Sequence, residues 1–297
     1  MNPTYEGRPL PRPRDEVVDQ GLGFDIGTLL SRRRALRFLG IGAAGAVLTA
    51  CGTPATSTSS AASSTAAATT SGEIPDETAG PYPGDGSNGP DVLAQSGVVR
   101  ADIRSSFGTG SGTAEGVPMT LELVVADLAK GGSPFAGVAV YVWHCDREGR
   151  YSLYSQGIQN ENYLRGVQLA GADGRVRYTS VFPACYDGRW PHIHFEVYPD
   201  QASITDSTKA IATSQVALPQ NVCEAVYAQA GYEQSVSNLQ KVSLSSDNVF
   251  GDDSGALQLA TVTGDVTSGY AVTLKVGVDT TTTPAAGGGP GGPPPSR

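Results

Sequence analysis

The chain has 297 residues, of which only 16% are charged, and a formal net charge of −9. That length accommodates one sizeable folded domain with appendages. The acidic balance excludes nucleic acid and other anionic polymers as partners, because they require a basic footprint. The first element in chain order is the stretch SRRRALRFLGIGAAGAVLTAC, in which Arg32, Arg33 and Arg34 precede an apolar run from Phe38 to Ala50. A basic cluster, a short apolar core and small residues at a cleavage point read as an export signal over residues 1–50, and adjacent arginines suggest the twin-arginine route. The alternative is an ordinary core helix, and the run is too short for a membrane span. Leu48-Thr49-Ala50-Cys51 resembles a bacterial lipobox. It implies cleavage before Cys51 and a lipid on the Cys51 thiol, so that the protein is exported to the outer face of the cell membrane as a lipoprotein, or secreted, with that lipid as its only membrane contact. Twin-arginine export carries folded proteins and often serves those that acquire a cofactor first.

Residues 51–76 are rich in Ser, Thr and Ala and read as a flexible tether, and the Gly/Pro-rich tail over 281–297 is equally unsuited to a core. The folded domain is expected over 77–280. With Cys51 acylated, Cys145, Cys185 and Cys223 allow at most one internal disulfide, Cys145 with Cys185 or Cys185 with Cys223.

Within the domain, alternation with period two dominates. Residues 119, 121, 123 and 125 of MTLELVV are apolar, and Tyr270, Val272, Leu274, Val276 and Val278 repeat the pattern. VAVYVW at 138–143 is apolar on both faces, as a strand buried between layers should be. RVRYTSVF at 175–182 follows a turn predicted at GADG, and one short helix is predicted at 220–230, with Cys223, Val226 and Tyr227 on one face and Gly231 ending it. Many short strands and little helix predict an all-β protein, a β-sandwich or barrel.

Two of the three histidines lie two positions apart, His192 and His194 in CYDGRWPHIHFEVY. On a strand, such residues point to the same face, so both imidazoles aim at one place while Ile193, Phe195 and Val197 face the core. Two solvated histidines on an exposed face are the bland alternative. The surroundings favour a metal: Tyr186 and Arg189 lie just upstream, and WHCDREGRYSLY adds further tyrosines. Phenols with imidazoles and no carboxylate cluster suit a hard, highly charged ion such as Fe(III). A phenol titrates near about 10 in water, so only a strong Lewis acid would ionise two of them at neutral pH. Zinc and Fe(II) sites usually take a carboxylate or a thiolate.

The segments ETAGPYP, GVVRADIR, VWHCDREGRYSLY and YLRGVQLAGADGRVRYTSVFPACYDGRWPHIHFEVY, in that order over about 77–220, resemble the intradiol ring-cleavage dioxygenases, and within them the exported, signal-bearing branch. The resemblance implies a transthyretin-like (prealbumin-like) β-sandwich with long loops. It implies a non-haem Fe(III) enzyme that uses O₂ to open catechol-type rings between the two hydroxylated carbons, giving muconate-type diacids without an organic cofactor. Carried across residue by residue, the iron ligands fall on Tyr151, Tyr186, His192 and His194, with Tyr186 and His192 axial. Tyr186 would also take a proton from the catechol, and Arg189 would stabilise negative charge on the reacting ring. Tyr154 is the rival of Tyr151, and His144 is a buried polar residue and no ligand. Gln215 would line the oxygen pocket and Tyr82 the cavity mouth, although Tyr82 could equally pack a turn and Arg165 could be a surface salt-bridging group. A homodimer is common in the family. Two other readings stay open: a non-catalytic cell-surface binding module of the same shape, and a metal-scavenging lipoprotein.

Overall fold

A computed structural model of the chain describes residues 72–284 and, in a separate N-terminal unit spanning Met1–Ala66, the antiparallel pair β1 (Thr4–Tyr5) and β2 (Arg8–Pro9). The remainder of the expected export signal over 1–50, Cys51, the tether as far as residue 71 and the tail from residue 285 lie outside the described residues. No helix among the described residues is long and apolar enough to cross a membrane.

The second unit is a sandwich of two sheets. One contains β10 (Thr261–Asp265), β11 (Gly269–Val278) and β3 (Pro118–Asp127), in that order. Both β7 (Arg175–Val181) and the short β4 (Ser133–Pro134) also pair with β3. The other sheet has the order β6 (Arg165–Leu169), β5 (Ala139–Trp143), β8 (His192–Tyr198), β9 (Ala212–Ala217). Met119, Leu121, Leu123 and Val125 of β3 and Val272, Leu274 and Val276 of β11 face Val140, Val142, Ile193, Phe195 and Val197 in one buried core. The alternation in sequence is therefore the alternation in burial, since neighbouring strand residues point to opposite faces. Each such side chain contributes about 1.5–3 kcal/mol by leaving water.

The GADG turn forms as expected: Gly174, at φ 73°, donates to the Gly171 carbonyl at 2.9 Å and carries the chain from β6 in one sheet to β7 in the other. The four-stranded sheet is covered on both sides. Its outer face carries Ala139, Tyr141, Trp143 and Tyr198 in a second cluster with Val92, Leu93, Val98 and Tyr151, supplied by the segment before β3 and the loop after β5. That second cover explains why β5 and β8 are buried at every position.

Helix α1 (Gln220–Tyr227) occupies the predicted place and buries Val222, Cys223, Val226 and Tyr227. The expectation of a single helix is corrected by a second one among the described residues, α2 (Glu233–Leu239), which buries only Ser235 and Asn238. Without an apolar stripe it has no helical periodicity to read. Neither disulfide forms: Cys145, Cys185 and Cys223 are free, buried thiols.

Candidate metal centre

Four side chains from two loops and one strand meet on the outer face of the four-stranded sheet. The Tyr151 and Tyr186 hydroxyls are 3.5 Å apart, the Tyr186 hydroxyl is 3.2 Å from His192 Nε2, and the two histidine Nε2 atoms are 3.0 Å apart. Strand β8 supplies the histidines on one face, as their spacing requires.

Each imidazole is set differently. His192 Nδ1 lies 2.5 Å from the Trp190 carbonyl, which can only accept, so Nδ1 carries the proton and Nε2 presents its lone pair. The His194 ring stacks on Trp143, its register partner on β5, at 4.9 Å and 6° from parallel. Its Nδ1 is buried without a hydrogen-bond partner. Burial, then the charge of Arg189, pushes His192 down to about 3, and burial with His192 beside it holds His194 well below the usual imidazole range. Both rings are therefore neutral, the form that binds metals.

Tyr151 follows a tight turn in which the buried Asp146 carboxylate accepts from the backbone N–H groups of Glu148 and Arg150 and pairs with the Arg150 guanidinium at 2.8 Å. Its rival Tyr154 is engaged elsewhere: the Tyr154 hydroxyl accepts from Gly84 N and donates to the Asn88 carbonyl, both at 2.9 Å. Tyr186 is placed from outside its own loop. Ser235 accepts from Cys185 N at 3.0 Å, and Asn238 donates to the Cys185 carbonyl at 2.9 Å, so the polar face of α2 grips the residue before Tyr186. Burial raises both phenols, Tyr186 to about 12 and Tyr151 well above its ordinary value, so neither ionises near neutral pH without a cation beside it.

Arg189 stands beside the cluster. It donates from Nε to Asp247 Oδ2 at 2.9 Å and from Nη2 to Gln215 Oε1 at 2.7 Å. Gln215 is the register partner of His194 on β9, which accounts for its arrival at the cluster from 21 residues further along the chain. Tyr82 packs its ring 4.9 Å from that of Tyr151. His144 lies apart from the cluster, hydrogen-bonded to the Cys145 carbonyl and to Ser180 Oγ, each at 2.8 Å. Arg165 is a buried clamp and makes no surface salt bridge among the described residues. Its guanidinium donates to the carbonyls of Tyr82, Pro83 and Ser152, to Ser152 Oγ and to the Tyr141 hydroxyl. Asp247, Ser235 and Asn238 were not legible as site residues, since no motif surrounds them and their spacing from Tyr186 and Arg189 follows only from the fold.

Among the described residues, no group of three or more His, Cys, Asp or Glu side chains could hold a metal ion. The convergent set is two phenols and two neutral imidazoles, with an orphaned buried nitrogen on one of them. These donors fit a hard, highly charged cation such as Fe(III) better than zinc.

Residues 88–205 match the protein family described as Dioxygenase. Chlorocatechol 1,2-dioxygenase of Rhodococcus opacus is 32% identical over 56 residues, which cover 19% of this chain and 22% of that protein. Hydroxyquinol 1,2-dioxygenase of a Rhizobium species is 40% identical over 55 residues, covering 18% of this chain and 19% of that protein. The matched stretches thus span about a fifth of those relatives. Among solved structures, an intradiol ring-cleavage dioxygenase from Tetranychus urticae superposes with a TM-score of 0.55 at 19% identity, covering 71% of this chain and 96% of that one, a likeness of fold. Residues 88–205, the stretch that matches the Dioxygenase family, carry both tyrosines and both histidines of the cluster.

Proposed function

We propose that the protein is a non-haem Fe(III)-dependent intradiol dioxygenase that opens a catechol-type ring between its two hydroxylated carbons with O₂, giving a muconate-type diacid. The observation that carries this reading is the convergence of Tyr151, Tyr186, His192 and His194, with hydroxyl and Nε2 atoms 3.0–3.5 Å from one neighbour to the next. Fe(III) held by these four groups would supply Lewis acidity, drawing electron density from a bound catechol. The remaining work falls to the chain. Tyr186, ionised when Fe(III) lies beside it, would take the proton that a catechol hydroxyl must lose, as a general base. Arg189 supplies a fixed positive charge where the ring gains electron density. Tyr82 and Gln215 flank the cluster and would bound the space for substrate and O₂. The curated relatives are named for chlorocatechol and hydroxyquinol, which supports a small catechol as the substrate class.

The test is a visible spectrum with iron content on the purified full-length chain, before and after adding catechol without oxygen. A broad tyrosinate-to-Fe(III) band that moves to longer wavelength with catechol, followed by ring cleavage on admitting air, is expected. A protein that stays colourless after Fe(III) loading sinks the proposal and leaves a bare sandwich module; tight metal binding without turnover leaves a scavenger.

The same reading includes export and an acylated Cys51, supported by Arg32–Arg34, the apolar run and the lipobox. Cys51→Ala is expected to release the protein from the membrane fraction, and unchanged retention would overturn the anchor.

A further inference from the structure

Asp247 sits 58 residues from Arg189 along the chain and outside the segment that matches the dioxygenase family. Its side chain is fully buried, yet every strong donor around it is accounted for. Oδ2 accepts from Arg189 Nε at 2.9 Å and from the Trp190 backbone at 2.7 Å, and Oδ1 accepts from the Val249 and Phe250 backbones at 2.8 and 3.0 Å and, at 3.5 Å, from Arg189 Nη2. The carboxylate therefore binds its own loop to the two residues that precede Pro191 and His192, and it does so through the guanidinium edge of Arg189.

The second nitrogen of Arg189 is also committed. Nη2 donates to Gln215 Oε1, and Gln215 in turn donates from Nε2 to the Thr78 carbonyl at 3.0 Å, which fixes the amide orientation because a carbonyl can only accept. Nη1 makes no hydrogen bond to any described residue, and 14% of the Arg189 side chain is exposed. A long arginine stem carries several rotatable bonds, and a two-point hold on one edge of its planar fork removes that freedom.

We propose that Asp247 is a positioning residue that, with Gln215, holds Nε and Nη2 of Arg189 so that Nη1, with both of its N–H groups, is the edge offered to a ligand at the cluster. The kinetic part of this proposal rests on the dioxygenase reading, and the structural part does not. An asparagine at 247 keeps the shape but cannot keep the hold. In either amide orientation its NH₂ group faces N–H donors, those of Arg189 and Trp190 or those of Val249 and Phe250.

The structural part is read by NMR on the metal-free full-length chain, following the Arg189 Nε–H signal, identified by its loss in Arg189→Lys. In the wild type this proton should exchange with water at least about 100-fold more slowly than that of an exposed arginine, as a buried hydrogen-bonded group does. Asp247→Asn should speed it at least about tenfold. The kinetic part is read on the iron-loaded chain. Asp247→Asn should retain iron content and the catechol-shifted band while kcat falls about 10–100-fold with little change in KM, and adding it to Arg189→Ala should cost no further activity. A wild-type Nε–H that exchanges freely, an unchanged rate in Asp247→Asn, or a loss that adds in full to that of Arg189→Ala overturns the proposal, and the first of these is decisive even if the variant does not fold. A wild type without ferric colour or ring cleavage overturns the dioxygenase reading alone, because the exchange experiment needs neither.

Discussion

Gly80 and His194 are in near contact: a Cβ on Gly80 would lie 3.3 Å from His194 Cε1, and Gly80 itself holds φ at 72°. With Trp143 stacked on the ring, His194 is packed between the strand it pairs with and the backbone of the segment that precedes the sandwich. Without a hydrogen bond on Nδ1, the His194 ring owes its orientation to this packing.

Gly80→Ala should therefore act twice. The left-handed backbone costs about 1–2 kcal/mol for a residue with a Cβ, and the methyl group pushes against His194. Urea unfolding of the metal-free protein should show that loss, and an Fe(III) titration should show weaker binding. Unchanged iron affinity would mean that the ring has room to yield.

The two tyrosines three residues apart should separate cleanly. Tyr154→Phe leaves the Gly84 N–H unpaired and should cost about 1–2 kcal/mol in stability while the ferric band stays as in the wild type. Tyr151→Phe should weaken that band with little loss of stability. The opposite pattern would make Tyr154 the ligand.

Arg165 ties the Tyr82–Pro83 segment to the loop after Tyr151, which contains Leu153 at φ 72°, and Leu164 just before the clamp is at φ 57°. Arg165→Met removes five donors from buried acceptors and should destabilise the protein by about 3–5 kcal/mol in urea. Arg165→Lys should recover less than half of this, because an ammonium cannot reproduce the planar fork. A loss no larger than that of an ordinary surface substitution would refute the clamp.

His144 gives a pH signature independent of the metal centre. Burial lowers it to about 4 from an ordinary value of 6.5, so the folded protein binds its proton less readily than the unfolded chain. The stability it permits is complete above pH 6.5 and is lost as pH falls toward 4. The wild-type unfolding free energy should therefore fall with acid more steeply than that of His144→Gln, by up to about 1.4 kcal/mol per pH unit within that window. Parallel curves for the two proteins between pH 6.5 and 4 would show that His144 does not remain neutral in the fold.

Alternation along β3 and β11 and the His192-x-His194 spacing made an all-β fold, sandwich or barrel, and the shared face of the two imidazoles legible in the sequence by itself, because a strand converts sequence parity directly into side of sheet. The tyrosines and Arg189 were legible through the company they keep within a short stretch of chain. Burial of Arg165, the free state of the three cysteines, the engagement of the Tyr154 hydroxyl by Gly84 and Asn88, and the contacts of Ser235, Asn238 and Asp247 belonged to the tertiary structure alone. Each depends on which backbone groups a polar side chain meets across a distance of tens of residues, and no periodicity encodes that meeting. Gln215 lies between the two cases: its strand could be expected, but only the register of β8 with β9 put it opposite His194 and within reach of Arg189.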